Sequence, residues 1–211
     1  MTRIVAGTYR GRRLSVPATN TRPTSDRVRE AIFSRLESWG DVDDAHVLDL
    51  YAGSGALGLE ALSRGAADAI LVDRARAAVI ACRDNIRTLG CEDQARVVAR
   101  DAASYLTTAT DTFTLAFVDP PYAIDTLQIE TVLAALAQRM EPRGLIVFET
   151  STRVATPTWP RTCRVESQRS WRDTRVWFLT VDGDDNPGQG ENPGEGAAGN
   201  SHGNDQEEDR R

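Results

Sequence analysis

The sequence contains no lysine, and all 25 of its basic side chains are arginine. Arginine suits phosphate and base contacts because its planar guanidinium presents five donors in a fixed fork. An absence of lysine as complete as this nevertheless indicates coding composition rather than a function. The arginine content by itself therefore carries no functional inference, and only the positions of the arginines along the chain do.

Cysteine is scarce: the chain has three, Cys82, Cys91 and Cys163. An odd number without CxxC spacing indicates neither a disulfide framework nor a zinc site. The N-terminus has no apolar segment of signal-peptide length, and no run approaches the roughly 18 apolar residues of a membrane span. These absences predict a soluble cytoplasmic protein that needs no metal and contacts no membrane.

Charge is unevenly distributed along the 211 residues, and the formal net charge of −6 hides this. Residues 182–211 hold nine acidic residues and two arginines, which leaves 22 acidic and 23 basic residues in 1–181. Residues 1–40 are the most basic part, with eight arginines against Asp26, Glu30 and Glu37. The first 40 residues therefore form a basic patch that the pI of the whole chain conceals.

Short apolar segments alternate with helical patterns through the middle of the chain. Strands are predicted at 47–51, 69–72, 95–99, 115–118 and 144–149, and helices at 59–64, 76–89 and 126–139. This alternation is typical of a parallel doubly wound α/β sheet. Two further strands, 163–171 and 175–181, have no helix between them, and they predict an antiparallel hairpin at the end of the sheet.

The two ends of the chain differ from this core. Residues 1–20 are predicted to be irregular or a hairpin. A helix capped by Thr24 or Ser25 is predicted next, with Arg27, Arg29 and Arg35 on faces other than its apolar one. The apolar residues of that helix recur at helical spacing: Val28, Ile32, Phe33 and Leu36. Residues 182–211 lack aromatic and branched aliphatic side chains, so they are predicted to be disordered. The predicted divisions are 1–40, 41–181 and 182–211.

A glycine loop follows the first core strand. Gly53, Gly55 and Gly58 satisfy GxGxxG between a strand and a helix, and Asp73 ends the next strand about 20 residues on. The glycines let a ligand approach the backbone, and the acid can accept both ribose hydroxyls. These requirements hold for any adenosine cofactor. The loop therefore does not separate NAD from S-adenosylmethionine.

Two other acids lie near strand ends. Asp49 is within the strand before the loop, where a buried carboxylate needs partners to offset its desolvation. It either accepts N–H groups of the loop or meets a cationic amine of the cofactor. Asp101 follows the third strand, where it either accepts from an adenine amino group or is a solvated acid of a turn. Both residues, with Tyr51, are candidates for cofactor binding.

The segment Asp119-Pro120-Pro121-Tyr122 ends the fourth strand, because two prolines cannot continue a sheet ladder. A dehydrogenase does not need a carboxylate followed by a proline turn and an aromatic ring. An enzyme that transfers a methyl group to an exocyclic amine does need such groups, because they orient the amine. If Asp119 and the Pro120 carbonyl each accept one N–H, the nitrogen lone pair is directed at the methyl group. Tyr122 can stack on the base, as in the recognition of flipped or unpaired bases. Asp119, Pro120 and Tyr122 are therefore the predicted catalytic residues.

These motifs resemble a known family. Residues 119–122 match the (D/N)PP(Y/F) motif of amino-directed methyltransferases that use S-adenosylmethionine. The stretch LDLYAGSGALGLEALSRGA (48–66) resembles the cofactor loop of the RsmD family, the bacterial 16S rRNA guanine-N2 methyltransferases, which usually has Phe at the position of Tyr51. The stretches RPTSDRVREAIF (22–33) and GTYRGRRL (7–14) resemble the same family's N-terminal segment.

The resemblance covers about residues 3–181 and carries definite expectations. It implies a Rossmann-like class I methyltransferase sheet of seven strands, S-adenosylmethionine as cofactor, and a guanine N2 amine of 16S rRNA, in an assembling small ribosomal subunit, as substrate. Arginines beside a base-modifying site would contact phosphates, giving salt-dependent binding. The candidates are Arg10, Arg12, Arg13, Arg22 and Arg27. Small enzymes of this class can act as monomers, and a monomer is expected here.

Three other functions are compatible with parts of the sequence. A DNA adenine-N6 or cytosine-N4 methyltransferase would use the same tetrapeptide, although such enzymes commonly carry a target-recognition insertion and no segment here is long enough. A nicotinamide-dependent oxidoreductase would use the glycine loop and bind NAD. A non-catalytic RNA-binding assembly factor would keep the fold and bind cofactor but transfer nothing.

Overall fold

A computed structural model describes residues 2–17, 26–121 and 124–183 of the chain, and the structure has nine strands and five helices within these ranges. The strands are β1 (Thr2–Arg3), β2 (Arg13–Leu14), β3 (His46–Leu50), β4 (Asp68–Asp73), β5 (Ala95–Ala99), β6 (Phe113–Val118), β7 (Met140–Ser151), β8 (Cys163–Trp171) and β9 (Thr174–Val181). The helices are α1 (Asp26–Trp39), α2 (Ala56–Ser63), α3 (Arg76–Leu89), α4 (Ala102–Thr108) and α5 (Thr126–Ala137).

Seven strands form one sheet in the order β5-β4-β3-β6-β7-β9-β8. Strands β3 to β7 pair in parallel, whereas β9 is antiparallel to both β7 and β8. This confirms the predicted fold class, a mostly parallel seven-stranded sheet with a C-terminal antiparallel hairpin. Strands β1 and β2 form a separate antiparallel pair, so the predicted N-terminal hairpin is present.

Both faces of the sheet are covered, which explains why its central strands are apolar throughout. Along β6, Leu115 and Phe117 join one hydrophobic cluster, and Ala116 and Val118 join the other. Helices α1, α2 and α3 and the N-terminal hairpin pack on the first face, and α4 and α5 pack on the second. The described residues of the segment 1–40 thus share a core with the sheet, while the predicted divisions after residues 40 and 181 remain predictions.

Helix α1 has the predicted apolar face: Val28, Ile32, Phe33 and Leu36 are all buried. Arg29, which is predicted on a face other than the apolar one, is nevertheless completely buried. Its guanidinium lies 3.0 Å from Asp26 and 3.4 Å from the buried Glu60 of α2. A buried cation needs such partners, and a helical periodicity cannot reveal a partner that lies on another helix. Thr24 and Ser25, the predicted caps, are outside the described residues.

Several element boundaries differ from the predicted ones. Helix α3 and strand β5 match, but α2 begins at Ala56 rather than at 59, because the left-handed Gly55 already caps it. Strand β7 extends from Met140 to Ser151, well beyond 144–149. Helix α4 was not predicted, since its seven residues carry too few apolar side chains to show a period.

Within the part of the chain that the structure describes, no helix is both long and apolar enough to cross a membrane. The described residues also hold no group of three or more His, Cys, Asp or Glu arranged to bind a metal ion. Metal independence remains a prediction. The predicted disordered tail falls outside the described residues, apart from Asp182 and Gly183.

Candidate active site

The candidate site lies where β3 and β6 end side by side. The chain runs from β3 to β4 on one side and places β6 on the other, so the strand order reverses at this point. In open α/β sheets, ligands bind in the crevice at such a reversal, beyond the carboxyl ends of the strands. Leu50 pairs with Val118 in the parallel register. The glycine loop and Asp119 therefore leave the sheet next to each other.

The glycine loop turns sharply between β3 and α2. Tyr51, Gly53 and Gly55 have positive φ angles of 61°, 58° and 76°, and the N–H of Gly55 donates to the Ala52 carbonyl at 2.7 Å. A Cβ at Gly55 would lie 2.7 Å from the Leu71 side chain, and one at Gly58 would lie 2.4 Å from it. A side chain at either position would displace Leu71 of β4, and Gly55 is favoured in addition by its left-handed backbone conformation.

Asp49 of β3 is hydrogen-bonded to this loop. It is 2% exposed, and its Oδ2 accepts the N–H of Gly58 at 3.0 Å. Burial raises the pKa of Asp49 to about 7; the Gly58 N–H acts in the opposite direction, and the nearby Asp119 and Asp73 raise it further. The structure shows the first of the two interactions predicted for Asp49, because its carboxylate accepts an N–H group of the loop. Contact with a cofactor amine remains a prediction.

Asp73 connects the end of β4 to the same loop. Its Oδ2 accepts the N–H of Gly53 at 2.9 Å, and its Oδ1 accepts the N–H of Ala75 at 2.8 Å. The side chain is half-buried. Each carboxylate oxygen has a second lone pair, so Asp73 can hold the loop and still accept hydroxyl groups of a ribose.

Asp101 has a structural task as the N-cap of α4. Its Oδ1 accepts the N–H groups of Ala103 and Ser104 at 3.1 and 3.4 Å. Of the two predicted roles of Asp101, this agrees with the acid of a turn, and the structure identifies that turn as the start of a helix that Asp101 caps. The other oxygen lies 3.7 Å from Arg74, and its acceptance of an adenine amino group remains a prediction. Tyr51 packs beside it, and burial raises the pKa of this phenol to about 12.

Asp119 and Pro120 follow β6 directly. Asp119 is half-buried and Pro120 is buried, while Pro121 is exposed and its carbonyl accepts the N–H of Ile124 at 3.0 Å. Asp119 is close enough to Asp49 to raise the pKa of that group. Tyr122 lies outside the described residues, so its stacking role remains a prediction.

Two residues that the sequence did not indicate hold the loop from the side of α3. Cys82 Sγ donates to the Gly53 carbonyl at 3.4 Å. Asn85 Nδ2 donates to the Ser54 carbonyl at 2.8 Å and to the Ser15 carbonyl at 2.9 Å, and its Oδ1 accepts the N–H of Ser15 at 2.7 Å. Asn85 thus joins the glycine loop to the segment after β2. The sequence feature that could have indicated Asn85 is a polar amide side chain on the apolar face of the amphipathic helix α3.

The N-terminal hairpin is tied to α2, the helix that the glycine loop begins. Glu60 is fully buried and accepts the N–H groups of Val5 and Ala6 at 2.8 and 2.9 Å. Arg64 Nε donates to the same carboxylate at 2.8 Å. Of the predicted RNA-binding arginines, Arg10, Arg12, Arg13 and Arg27 are exposed, and Arg22 is outside the described residues.

Comparison with known proteins assigns this architecture to a family. A family described as conserved hypothetical protein 95 matches residues 2–180. The ribosomal RNA small subunit methyltransferase D of Escherichia coli K12 is 41% identical over 159 residues, which cover 75% of this chain and 79% of that protein.

Two solved structures are similar in fold. That of the Escherichia coli protein yhhF is 36% identical with a TM-score of 0.76, and the match covers 86% of this chain and 98% of that one. That of magnesium protoporphyrin IX methyltransferase from Synechocystis PCC 6803, with bound SAM, has a TM-score of 0.61 over 74% of this chain and 79% of its own. Its 14% identity shows a shared fold alone.

Proposed function

The chain belongs to the conserved hypothetical protein 95 family, the RsmD family of rRNA methyltransferases, and from this premise we propose that it methylates the exocyclic N2 amine of a guanine in 16S rRNA. S-adenosylmethionine is the methyl donor, and the substrate is an assembling small ribosomal subunit in the cytoplasm. The enzyme acts as a monomer. One observation supports the proposal: the pairing of Leu50 with Val118 brings the Asp119-Pro120 segment next to the glycine loop.

The residues of the crevice fit the cofactor. The loop of Gly53, Gly55 and Gly58 presents backbone at the crevice without side chains, and Asp73 has lone pairs left for ribose hydroxyls. When bound, S-adenosylmethionine supplies a methyl group activated by a sulfonium. Tyr51, Asp49 and Asp101 line the same edge of the sheet and complete the proposed cofactor site.

Asp119 and the Pro120 carbonyl hold the amine of the base. Its nitrogen is a poor nucleophile because the lone pair is delocalised into the ring. Acceptance of both N–H bonds favours a more tetrahedral nitrogen whose lone pair is directed at the methyl group. The amine nitrogen would take the methyl group from the bound S-adenosylmethionine, which would be left as the thioether. The methylated nitrogen then loses a proton readily, so Asp119 acts as a hydrogen-bond acceptor rather than as a strong base.

The exposed arginines Arg10, Arg12, Arg13 and Arg27, with Arg22, contact phosphates of the rRNA. The four exposed arginines lie on the hairpin and on α1, which the buried Glu60 and Asn85 join to the cofactor loop. Phosphate contacts fix position and orientation but carry little sequence information. The choice of one guanine then depends on the crevice and on the shape of the particle.

Mass mapping of 16S rRNA from cells with and without the gene tests this function directly. We expect one methylguanosine to be lost without the gene and restored by the wild-type gene but not by a gene encoding Asp119→Ala. An unchanged map contradicts the proposal. Equilibrium binding measurements distinguish the proposed methyltransferase from the oxidoreductase alternative. Tight binding of NAD without binding of S-adenosylmethionine would reverse the choice of cofactor.

A further inference from the structure

A groove of about 340 Å³ runs between α1 and the last two strands of the sheet, β9 and the edge strand β8, apart from the crevice described above. Its lining residues include Ser34, Arg35, Ser38, Arg169, Trp171 and Phe178. It combines two guanidinium groups, small hydroxyl side chains and aromatic rings. None of these residues has a part in the cofactor loop or in the Asp-Pro segment.

The groove is positively charged. Arg35 donates to Ser167 Oγ at 2.8 Å, and its guanidinium lies 4.5 Å from the centre of the Trp39 ring. Neither Arg35 nor Arg169 forms an ion pair with any carboxylate in residues 2–17, 26–121 and 124–183. The acids nearest in sequence have other partners, since Glu37 pairs with Arg64 at 3.0 Å and Glu166 with Arg164 at 2.6 Å.

Aromatic side chains provide surfaces on which a base can stack. Phe178 is buried at the floor of the groove, Trp171 is half-buried, and Trp39 at its end is 39% exposed. Guanidinium groups that meet phosphates, interleaved with aromatic rings that meet bases, are the features by which proteins bind single-stranded RNA. The groove has both within the reach of a few nucleotides.

Strand pairing places the groove at the level of the proposed catalytic residue. Arg169 pairs with Val176 and Val176 pairs with Glu149, which directly follows Phe148, the partner of Val118. Arg169 is therefore level with Asp119 along the sheet. Three strand spacings separate β6 from β8, or about 14 Å, so a strand whose base occupies the crevice can continue across the sheet edge into the groove.

We infer that this groove binds the single-stranded rRNA next to the target guanine, with Arg35 and Arg169 on phosphates and Trp171 against a base. The inference rests on the proposed function and names a second RNA contact surface for it, separate from the arginines of the N-terminal hairpin. It gives the C-terminal hairpin, which forms one wall of the groove, a direct part in substrate binding.

Charge reversal at Arg169 tests the inference, with Arg161→Glu as the matched control. Arg161 is also exposed but lies beyond the other end of β8, eight residues away, or about 26 Å along an extended chain. For the full-length Arg169→Glu protein, we expect affinity for a protein-free 16S rRNA fragment to fall about 10-fold or more. The slope of log affinity against log salt should become shallower by about 1. Affinity for S-adenosylmethionine should not change, and Arg161→Glu should bind RNA within about 2-fold of wild type.

Equal RNA binding by the two variants would overturn the inference. A defect that appears only with particles containing ribosomal proteins, and not with protein-free RNA, would also overturn it, because the groove would then contact a protein. Failure of the proposed function is distinguishable from both outcomes, since in that case the wild-type protein itself would neither bind the fragment nor methylate the particle.

Discussion

Asp119 is the side chain whose replacement should separate chemistry from cofactor binding. Loss of its oxygens in Asp119→Ala should lower the methylation rate by at least about 100-fold, the cost typical of one lost preorganised hydrogen-bonding group in an active site. Affinity for S-adenosylmethionine should stay nearly unchanged, because the cofactor loop is held by Asp49 and Asp73 instead. Single-turnover methylation and equilibrium binding measure the two quantities.

The Asp119→Asn variant distinguishes acceptor from base. Its amide oxygen can still accept one N–H, so it should retain more activity than Asp119→Ala. Equal inactivity of the two variants would indicate a required base. Asp111→Ala is the control, since Asp111 is an exposed carboxylate paired with Arg96 at 2.8 Å away from the site; a large effect there would argue against a specific role for Asp119.

Asp49 should make the stability of the protein pH-dependent. Burial raises its pKa to about 7, above the roughly 3.9 of an unfolded chain. A carboxyl that holds its proton more tightly when folded contributes stability that is fully present below pH of about 4. That stability is lost as the pH rises to 7, and the loss is at most about 4 kcal/mol.

The Asp49→Asn variant should lack this pH dependence, while its amide oxygen can still accept the Gly58 N–H. Chemical denaturation across pH 4 to 8 measures the effect. The free energy of unfolding of the variant should rise relative to wild type between pH 4 and 7 and level off above 7. A difference that is the same at every pH would show that Asp49 is ionised in the folded protein throughout.

At the scale of elements, Asn85 of α3 is the joint between the glycine loop and the segment after β2. Asn85→Ala would leave the Ser54 carbonyl and both backbone groups of Ser15 without their present partner. Ser15 is exposed, so water can replace its lost partner, whereas Ser54 is buried and its carbonyl would be left unsatisfied at a cost of about 1–3 kcal/mol. We expect the free energy of unfolding to fall by about 1–3 kcal/mol and the dissociation constant for S-adenosylmethionine to rise about 10-fold.

Thr88→Ala is the matched control on the same helix. Thr88 is exposed, and its hydroxyl donates only within the helix, to the Asp84 carbonyl at 2.7 Å. Its loss should change stability by less than about 0.5 kcal/mol. If Asn85→Ala binds the cofactor and unfolds like Thr88→Ala, the joint has no part in shaping the loop.

For the whole molecule, RNA affinity should depend steeply on salt. Replacing Arg10, Arg12, Arg13 and Arg27 together by Gln should flatten the salt dependence by about 3 in logarithmic slope, from about 0.7 for each single-strand phosphate contact. Filter binding at several salt concentrations measures it. An unchanged slope would place the phosphate contacts elsewhere. The control is a protein with four other exposed arginines replaced: Arg83, Arg87, Arg143 and Arg161.

The parts of this molecule that depend on local pattern could be predicted from the sequence. Helix α3 ends before the left-handed Gly90, and β5 has its predicted bounds. Parallel strands share a direction, which puts the glycine loop and Asp119 at the same edge of the sheet, but the pairing of β3 with β6 that makes them neighbours is not indicated by the sequence. The burial of Arg29 against Glu60 and the contacts of Asn85 with Ser15 could not, because each joins residues far apart in sequence. The helix cap formed by Asp101 could have been predicted from the sequence, since an Asp before a short helix is a common signal of a helix start.

The register of β3 with β6 has a consequence for how this enzyme tolerates change. On the proposed function, the separation between methyl donor and acceptor is set by the hydrogen-bond ladder that pairs Leu50 with Val118, and not by either loop. One residue inserted within β6 would turn Asp119 to the opposite face of the sheet. Insertions beyond Tyr122 leave that spacing and the tetrapeptide intact. We therefore expect changes in chain length to be tolerated after Tyr122 but to abolish activity within β6. The residues between Tyr122 and α5 are accordingly the place to change the substrate specificity of the enzyme.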